Sequence, residues 1–417
     1  MMKNKKGVKN VNWKWLVLIL YLLGSVYRLV LHIVRFRSAA NPTPENVADV
    51  YDAETYQRWK AYNAEKSRLH IVSVVLTWVL MSALLLTGAY SAFANLFADD
   101  PWSQLIAVLI LQILAETLLN VVISYVDTMI IEQKYGFNRS TVKTFVADRI
   151  REFLLNFGLS TGLVCALCAL HMAMGNWVVV LLVGVMFVFT LTASFLYPVL
   201  SRIGNRFVPL EEGELKDKLM ALLNKHGYRV KAIEVMDASR RTTKLNAYFT
   251  GFGKMKTIVL FDNLVNAMTT DEICAVFAHE LGHGIHKDVL KNQILNLVNL
   301  TAMSVVAWLT VYFTGLYTDF GFEGVNYGFA YVLMSIGLGL VQPLLDILIN
   351  ARSRKAEYRA DEQAVQEGYG EALVEALKKL SRDNFAHLSP DPVLVVLEYT
   401  HPPLSQRVAA IEKQLKK

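Results

Sequence analysis

The motif His279-Glu280-Leu281-Gly282-His283 contains the residue types that bind a divalent metal ion and use it in hydrolysis. On a helix, two histidines at i and i+4 lie one turn apart on one face, so both rings can reach one zinc ion at about 2.0–2.1 Å. Glu280 lies beside this pair, where its carboxylate can take a proton from water that the metal activates. Alternatively, both histidines are ordinary core or surface residues with hydrogen bonds to protein or water, because the short motif also occurs without a metal.

The residues before the motif predict the helix that must carry it. Thr269 can cap a helix, and Glu272 three residues later can return the hydrogen bond, which is the capping-box pattern. His286 follows His279 by seven residues and would lie about 10.5 Å further along the helix. That distance is too long for one metal ion, so we expect a third ligand from another segment.

Two carboxylates late in the chain are candidates for this third ligand. Glu357 and Asp361 are spaced i, i+4 on a predicted helix. One can bind the metal while the other accepts a hydrogen bond from a ligand histidine. A solvated helix of mixed charge is the ordinary interpretation of such a stretch. Two predicted membrane spans return the chain to the side of the histidines, which favours the metal site.

The segment 244–251 and the β-branched run 256–261 predict a β-hairpin. An edge strand there can pair with the backbone of an extended peptide and hold it across the metal. The residues that we expect to contact this peptide are Asn246, Ala247 and Tyr248. Plain sheet packing explains the pattern equally well.

A final amphipathic helix is predicted after His401, which two prolines follow. His401 can take part in catalysis by donating a hydrogen bond to an oxyanion. Arg407, on that helix, can hold a carboxylate or brace the site. For His401 and for Arg407, a purely structural role explains the sequence equally well.

Composition places these motifs in a membrane protein. Of the 417 residues, 54% are hydrophobic and 19% are charged, with a mean hydropathy of +0.33. These values exclude an ordinary soluble protein, a disordered chain and a coiled coil. Three cysteines are too few for a disulfide framework, and we interpret Cys165 and Cys168 as small buried apolar residues. Apolar runs of about 20 residues predict seven spans, at 15–34, 71–96, 104–131, 153–174, 176–199, 292–316 and 327–350.

The distribution of charge predicts the orientation of these spans. The loops at 35–70 and 132–152 are rich in Lys and Arg. In the loops on the opposite side, the charged residues are all acidic. The positive-inside rule therefore places these loops, with 200–291 and 351–417, in the cytoplasm. Five lysines before the first span disagree, so either the loops decide the orientation or the first segment is not a full span. No basic stretch interleaved with aromatic residues predicts nucleic-acid binding.

Two predicted spans carry polar residues on one helical face. Hydrogen bonds between helices or a water-filled cavity bounded by the helices explain these faces equally well. The residues are Glu116, Asn120 and Asp127 in one span and Asn292, Asn296 and Asn299 in the other.

The chain thus divides into four predicted segments. Residues 1–199 form five spans with the cytoplasmic loop 35–70, and 292–350 form two more. Residues 200–291 form the first part of a protease domain, with the hairpin and the metal-binding helix. Residues 351–417 complete that domain with the third ligand and the C-terminal helix.

In the order of these motifs, the sequence resembles the type I CAAX prenyl protease family, which are integral-membrane zinc metalloendopeptidases of the gluzincin kind. The likeness covers most of the chain and includes the seven spans. The segments that carry it are 132–138 with Thr141, 246–251 with 259–262, the HExxH motif at 279–283, 353–361 and 401–407.

The resemblance implies a mainly α fold, in which a bundle of seven transmembrane helices encloses an aqueous chamber. A gluzincin-like zinc protease domain of helices and a small β-sheet is then built from two segments. The resemblance implies that His279, His283 and Glu357 bind one zinc ion per chain and that Glu280 is the general base. It also implies that Asp361 supports a ligand and that Asn246 contacts the peptide. His401 and Arg407 match positions near the catalytic centre.

We therefore expect an integral-membrane zinc metalloendopeptidase that contacts membrane lipids. It cleaves peptide or protein substrates, prenylated or not, near the C-terminus of the substrate. A bacterial inner membrane or an endoplasmic reticulum membrane fits, with the protease domain on the cytoplasmic side. A general quality-control protease for membrane proteins, without a prenyl requirement, is an alternative. An intramembrane-cleaving protease is opposed by the polar residues around the motif. The intact Glu280 disfavours a transporter or scaffold with a vestigial zinc site.

Overall fold

The computed structural model describes the backbone of residues 12–97, 100–138, 140–200, 202, 205–228, 232–239, 246–250 and 257–417, and their side chains except at 193–200 and 249–250. The fold is mainly helical with one small mixed sheet, as the sequence predicted. Two compact units are present. The first unit contains the chain up to Phe36, Tyr62–Gly184 and Asn299–Leu344, and the second contains Arg37–Ala61, Val185–Val298 and Leu345–Lys417. The four predicted segment boundaries stay a prediction.

Helices account for most of the described chain. Those in the first half are α1 Trp13–Ser38, α2 Ala53–Thr87, α3 Ala89–Ala94, α4 Pro101–Tyr125, α5 Gln133–Tyr135, α6 Val142–Met174 and α7 Val178–Leu200. Those in the second half are α8 Glu214–Lys225, α9 Asp262–Ala267, α10 Thr270–Ile285, α11 Asp288–Tyr312, α12 Gly315–Thr318, α13 Tyr327–Gln366, α14 Gly370–Asp383, α15 Pro392–Glu398 and α16 Leu404–Leu415.

Within the described residues, six helical stretches are long and apolar enough to cross a membrane. One of them, Val142–Thr192, has 51 residues and contains both α6 and most of α7. A straight helix of that length would extend about 76 Å, which is more than twice the hydrocarbon thickness of about 30 Å. The helix instead breaks at Gly175, which has φ +56°. The predicted count of seven spans and the enclosed chamber stay predictions. The six stretches are Trp13–Ser38, Ala53–Thr87, Pro101–Tyr135, Val142–Thr192, Asp288–Tyr312 and Tyr327–Gln366.

The helix that contains the second predicted span differs from the expected 71–96. It begins at Ala53, inside the predicted loop 35–70, because the charged residues there are good helix formers although hydropathy ignores them. It ends at Thr87, since Gly88 has φ +69°, a left-handed conformation that glycine adopts readily.

Polar side chains within the first unit are paired with one another. Glu116 accepts a hydrogen bond from Gln112 Nε2 at 2.7 Å and also lines a polar cavity. Lys66 Nζ donates to Asp127 and to Glu132, each at 2.9 Å, across the π-helix 126–132. The Gln112–Glu116 bond lies within α4, whereas Lys66 of α2 joins two helical segments by its bond to Asp127. The water-filled cavity stays a prediction.

A four-stranded sheet lies in the second unit, in the order β1-β2-β4-β3. Strand β4 is parallel to β2 and antiparallel to β3, with Tyr248 opposite Val259. The predicted hairpin is confirmed as this antiparallel pair, and β3 lies at the edge of the described sheet. Residues 244, 245 and 251–256 of the prediction lie outside the described residues. The strands are β1 Phe207–Pro209, β2 Ala232–Met236, β3 Ala247–Thr250 and β4 Thr257–Phe261.

Helix α10 is anchored in the apolar core of the second unit. Its residues Ile273, Phe277 and Leu281 are 2%, 3% and 1% exposed and pack in one cluster with residues of α8 and α14. Each such side chain contributes roughly 1.5–3 kcal/mol on burial. This face therefore fixes the direction in which the histidines of the same helix point.

Candidate metal centre

The start of α10 has the predicted capping box. Thr269 Oγ1 accepts from the backbone N–H of Glu272, and Glu272 Oε2 accepts from that of Thr269 at 2.8 Å. Lys379 of α14 also donates to Glu272 at 2.7 Å. Burial raises the pKa of Glu272, but the bonds from Lys379 and Thr269 outweigh it and hold the pKa below its usual value. The helix that carries the HExxH motif is thus fixed at its first turn.

The side chains of His279, His283 and Glu357 converge. Their candidate ligand atoms all lie within 4.8 Å of one another. His279 Nε2 is 3.5 Å from Glu357 Oε2, and His283 Nε2 is 3.4 Å from Glu357 Oε1. Ligand atoms at the corners of a tetrahedral zinc site are about 3.4 Å apart. The separations between both histidines and the glutamate therefore fit a metal ion.

One oxygen of Glu357 lacks the hydrogen bond that its burial demands. Glu357 is 5% exposed, and its Oε2 atom has no hydrogen-bond partner among the described residues. Buried polar atoms are almost always hydrogen-bonded, so an unpartnered buried oxygen points to a ligand that completes its contacts. Two imidazole nitrogens and a carboxylate with an unpartnered oxygen together form a ligand set that suits a metal ion.

The electrostatic field at the cluster favours a cation. Burial lowers the pKa of His283, but the hydrogen bond and charge of Glu357, the hydrogen bond to Asp288 and the charge of Glu280 raise it to about 9. Net negative charge therefore stabilises a positive charge at this point, which a divalent ion also supplies. Glu280 itself is partly buried on α10 beside His279.

Gly282 lets the two metal-binding helices approach each other. A Cβ atom at this position would lie 2.9 Å from Ala360 Cα and 3.0 Å from Gln363 Cβ, both on α13. Ala360 is fully buried, so its backbone cannot yield easily. The glycine of the HExxH motif is therefore needed for the distance between the histidines and Glu357.

We expect Gly282→Ala to lower the free energy of unfolding by about 1–3 kcal/mol, because overpacking forces the helices apart. Metal affinity should fall as well, since Glu357 moves with α13. Thermal unfolding in detergent with and without added zinc measures both effects. Gly324→Ala is the control, because a Cβ there meets nothing within 4 Å. Equal stability of the two variants would contradict the packing argument.

Asp361 contacts one of the histidines. His279 Nδ1 donates to Asp361 Oδ1 at 2.9 Å, and Arg407 Nε donates to Asp361 Oδ2 at 2.9 Å. Arg407 Nη1 also lies 3.4 Å from Glu357 Oε2. His401 Nε2 is 3.4 Å from Glu357 Oε1, with a side chain that is 63% exposed. The structure thus brings both late residues, His401 and Arg407, to the predicted cluster.

One carboxylate at the cluster was missed by the sequence reasoning. His283 Nδ1 donates to Asp288 Oδ2 at 3.2 Å, and Asp288 is 4% exposed. Between them the helix ends, and Lys287 turns the chain with φ +55°. An acidic residue five positions after the second histidine was the available signal. It looked like a charged flank because the turn at Lys287 is not evident from the sequence.

The predicted substrate strand lies beside the metal helix. Ala247 and Tyr248 belong to β3, which packs against α10. The carbonyl oxygen of Asn246 accepts a hydrogen bond from Phe261 N at 3.0 Å. Contact between these three residues and a peptide stays a prediction.

Comparison with known proteins places both halves of the chain in one family. Residues 32–202 match the family model described as CAAX prenyl protease N-terminal, five membrane helices, and residues 209–415 match peptidase family M48. The CAAX prenyl protease 1 homolog of Oryza sativa subsp. japonica is 30% identical, over 95% of this chain and 96% of that protein. CAAX prenyl protease 1 of Saccharomyces cerevisiae is 31% identical, over 71% and 69%.

A solved structure shows the same fold. The crystal structure of S. mikatae Ste24p superposes with a TM-score of 0.85 and 25% sequence identity, covering 96% of this chain and 99% of that chain. Metallopeptidases use a bound metal ion to hydrolyse peptide bonds, and the six apolar helices make this a multi-pass membrane protein. The predicted resemblance is confirmed: the chain belongs to the CAAX prenyl protease family of membrane metallopeptidases, within peptidase family M48.

Proposed function

We propose that the metal is zinc, one ion per chain, held by His279, His283 and Glu357. The observation that carries this proposal is that both imidazoles lie 3.4–3.5 Å from the Glu357 carboxylate, whose Oε2 atom has no hydrogen-bond partner among the described residues. Nitrogen ligands with one carboxylate are typical of catalytic zinc, which keeps a position open for substrate.

The chain's own residues supply the proton transfers and the orientation. Zinc, when bound, acts as a Lewis acid that polarises a peptide carbonyl group and lowers the pKa of water. Glu280 is one residue after a ligand and takes the proton from the attacking water. It then returns that proton to the leaving amine, so no covalent intermediate with the enzyme is needed.

Two further residues act on the substrate and on the ligands. His401 is exposed and 3.4 Å from Glu357, so it can donate a hydrogen bond to the oxyanion that forms from the carbonyl group. Asp361, held by Arg407, fixes the ring of His279. Strand β3, at the edge of the described sheet and beside α10, can pair with an extended peptide at Asn246, Ala247 and Tyr248.

We further propose that substrates are membrane-attached peptides cut near their C-terminus, with prenylated ones preferred. The names of the Oryza and Saccharomyces relatives support this substrate class. The basic loops favour a cytoplasmic protease domain, in a bacterial inner membrane or the endoplasmic reticulum membrane. General membrane-protein proteolysis without a prenyl requirement is the second candidate, because edge-strand recognition reads the peptide backbone and does not need a lipid.

One peptide series distinguishes the two candidates. The same sequence is compared with and without a farnesyl group on its cysteine, in detergent micelles or in vesicles. We expect kcat/KM at least about tenfold higher for the farnesylated peptide, which corresponds to about 1.4 kcal/mol. Equal values would favour general proteolysis. Protein with Glu280→Gln controls for contaminating proteases, because it should cut neither peptide.

A further inference from the structure

Each histidine of the metal centre has a carboxylate on the ring nitrogen that faces away from the cluster. His279 Nδ1 pairs with Asp361 of α13, and His283 Nδ1 pairs with Asp288, the first residue of α11. The family motif leads one to expect the first pair. In the second pair, Asp288 lies outside every segment that carries the family resemblance.

Both carboxylates are in turn held by an arginine. Arg407 Nε donates to Asp361 at 2.9 Å. Arg359 Nη2 donates to Asp288 Oδ1 at 2.8 Å. Arg359 lies between Glu357 and Asp361 on α13, so one helix supplies a ligand and reaches the supports of both histidines. The two histidines thus have matching supports, although the supporting residues come from different elements.

The local structure around Asp288 is energetically unfavourable in two respects, the burial of its carboxylate and the backbone conformation of Lys287. The residue is 4% exposed, so its carboxylate has lost most of its hydration. The preceding Lys287 has φ +55°, an uncommon conformation for a residue other than glycine, which costs of order 1 kcal/mol or more. This turn directs the buried carboxylate back towards the ring of His283.

We propose that Asp288 is a positioning residue for His283 and that Arg359 is a positioning residue for Asp288. This inference rests on the proposed function, in which His283 is a zinc ligand. A carboxylate that accepts the Nδ1 proton fixes the tautomer, so the lone pair on Nε2 is free to bind the ion. It also fixes the ring orientation, because the two nitrogens are held from opposite sides.

A purely structural role would give a different result. Asp288 could stabilise the N-terminus of α11 through its charge, as acidic residues at helix starts do. That role would change the stability of the zinc-free protein, but it would not change the geometry at the metal. Affinity for zinc and the absorption spectrum of a cobalt-substituted site therefore separate the two roles.

The test measures the dissociation constant for zinc by competition with a chelator, on the full-length protein in detergent. We expect Asp288→Asn to weaken zinc binding about 10–100-fold, the range found when such a support is removed. The cobalt spectrum should shift in the same variant. Asp288→Glu keeps the carboxylate and should recover part of the affinity. Asp271→Asn is the matched control, because Asp271 is an exposed, lysine-paired residue on α10.

Arg359 gives a second test, and its single variant does not depend on the folding of the Asp288 variants. Arg359→Gln should weaken zinc binding severalfold by itself. It should add nothing in the Asp288→Asn background, since it acts through Asp288, and a double-mutant cycle measures this coupling. Independent, additive losses would contradict the proposed chain of contacts.

The remaining outcomes separate this inference from the function on which it rests. If wild-type protein binds one zinc ion and Glu357→Gln abolishes binding, the ligand set stands. Asp288→Asn with wild-type affinity and an unchanged cobalt spectrum would then overturn only the role of Asp288. A wild-type protein that binds no zinc would overturn both.

Discussion

Glu280→Gln is expected to lower kcat/KM for peptide hydrolysis by about 10²–10⁴-fold while the zinc content of the protein does not change. The amide has nearly the same shape as the carboxylate but cannot accept a proton at neutral pH. Glu280 is next to His279 in sequence and is not among the three converging side chains. The variant should therefore lose proton transfer and keep metal binding.

Peptide cleavage and metal content have to be measured on the same preparation. Glu375→Gln, at an exposed position on α14, is the control for a change of one charge elsewhere in the domain. A variant that retains activity would show that another group removes the proton from water. Loss of zinc in the variant would instead assign Glu280 to the ligand set.

The same experiment tests the rival idea of a scaffold or transporter that keeps a vestigial site. Such a protein would bind zinc without cleaving any peptide, and Glu280→Gln would leave its behaviour unchanged. Family membership already makes the chain a metalloprotease. Activity that depends on one carboxylate would tie that chemistry to this site.

The position of a helix end could be predicted from the sequence where a single local signal determines it. The capping box at Thr269 located the start of α10, and the i, i+4 histidines were correctly placed on it, because capping and spacing are local properties. The end of α2 was placed nine residues too late, since hydropathy does not register a left-handed turn at Gly88. The predicted apolar span also began later than α2 does. The first residues of α2 include charged helix formers, which have low hydropathy and so do not register in an apolar run.

The metal centre was predictable only in part. Spacing alone identified the two histidines, whereas the choice between Glu357 and Asp361 needed a family resemblance. Asp288 could not be placed, because its contact depends on the backbone turn at Lys287, which no residue type signals. Similarly, the close packing at Gly282 depends on a helix 78 positions further along the chain.

Arg407→Met is expected to lower the free energy of unfolding of the zinc-free protein by about 3–5 kcal/mol. Arg407 is 9% exposed and binds both carboxylate oxygens of Asp361, which is itself 1% exposed. Among the described residues, removing the guanidinium leaves His279 as the hydrogen-bond partner of this buried carboxylate. Arg407→Lys should recover little of the loss, because a lysine cannot make the two-pronged contact.

Thermal and chemical unfolding of zinc-free protein in detergent measures this effect without interference from metal binding. Arg382→Met is the matched control, because Arg382 is 53% exposed and its pairing with Asp383 should contribute little. The cost of Arg407→Met should shrink when Asp361→Asn is also present, since the charge of Asp361 is then no longer left without its arginine, and Glu357 is the buried carboxylate that still loses a contact. A cost that stays the same in both backgrounds would mean that Arg407 stabilises the protein by packing alone, and the ion pair behind His279 would then have no measurable part in stability.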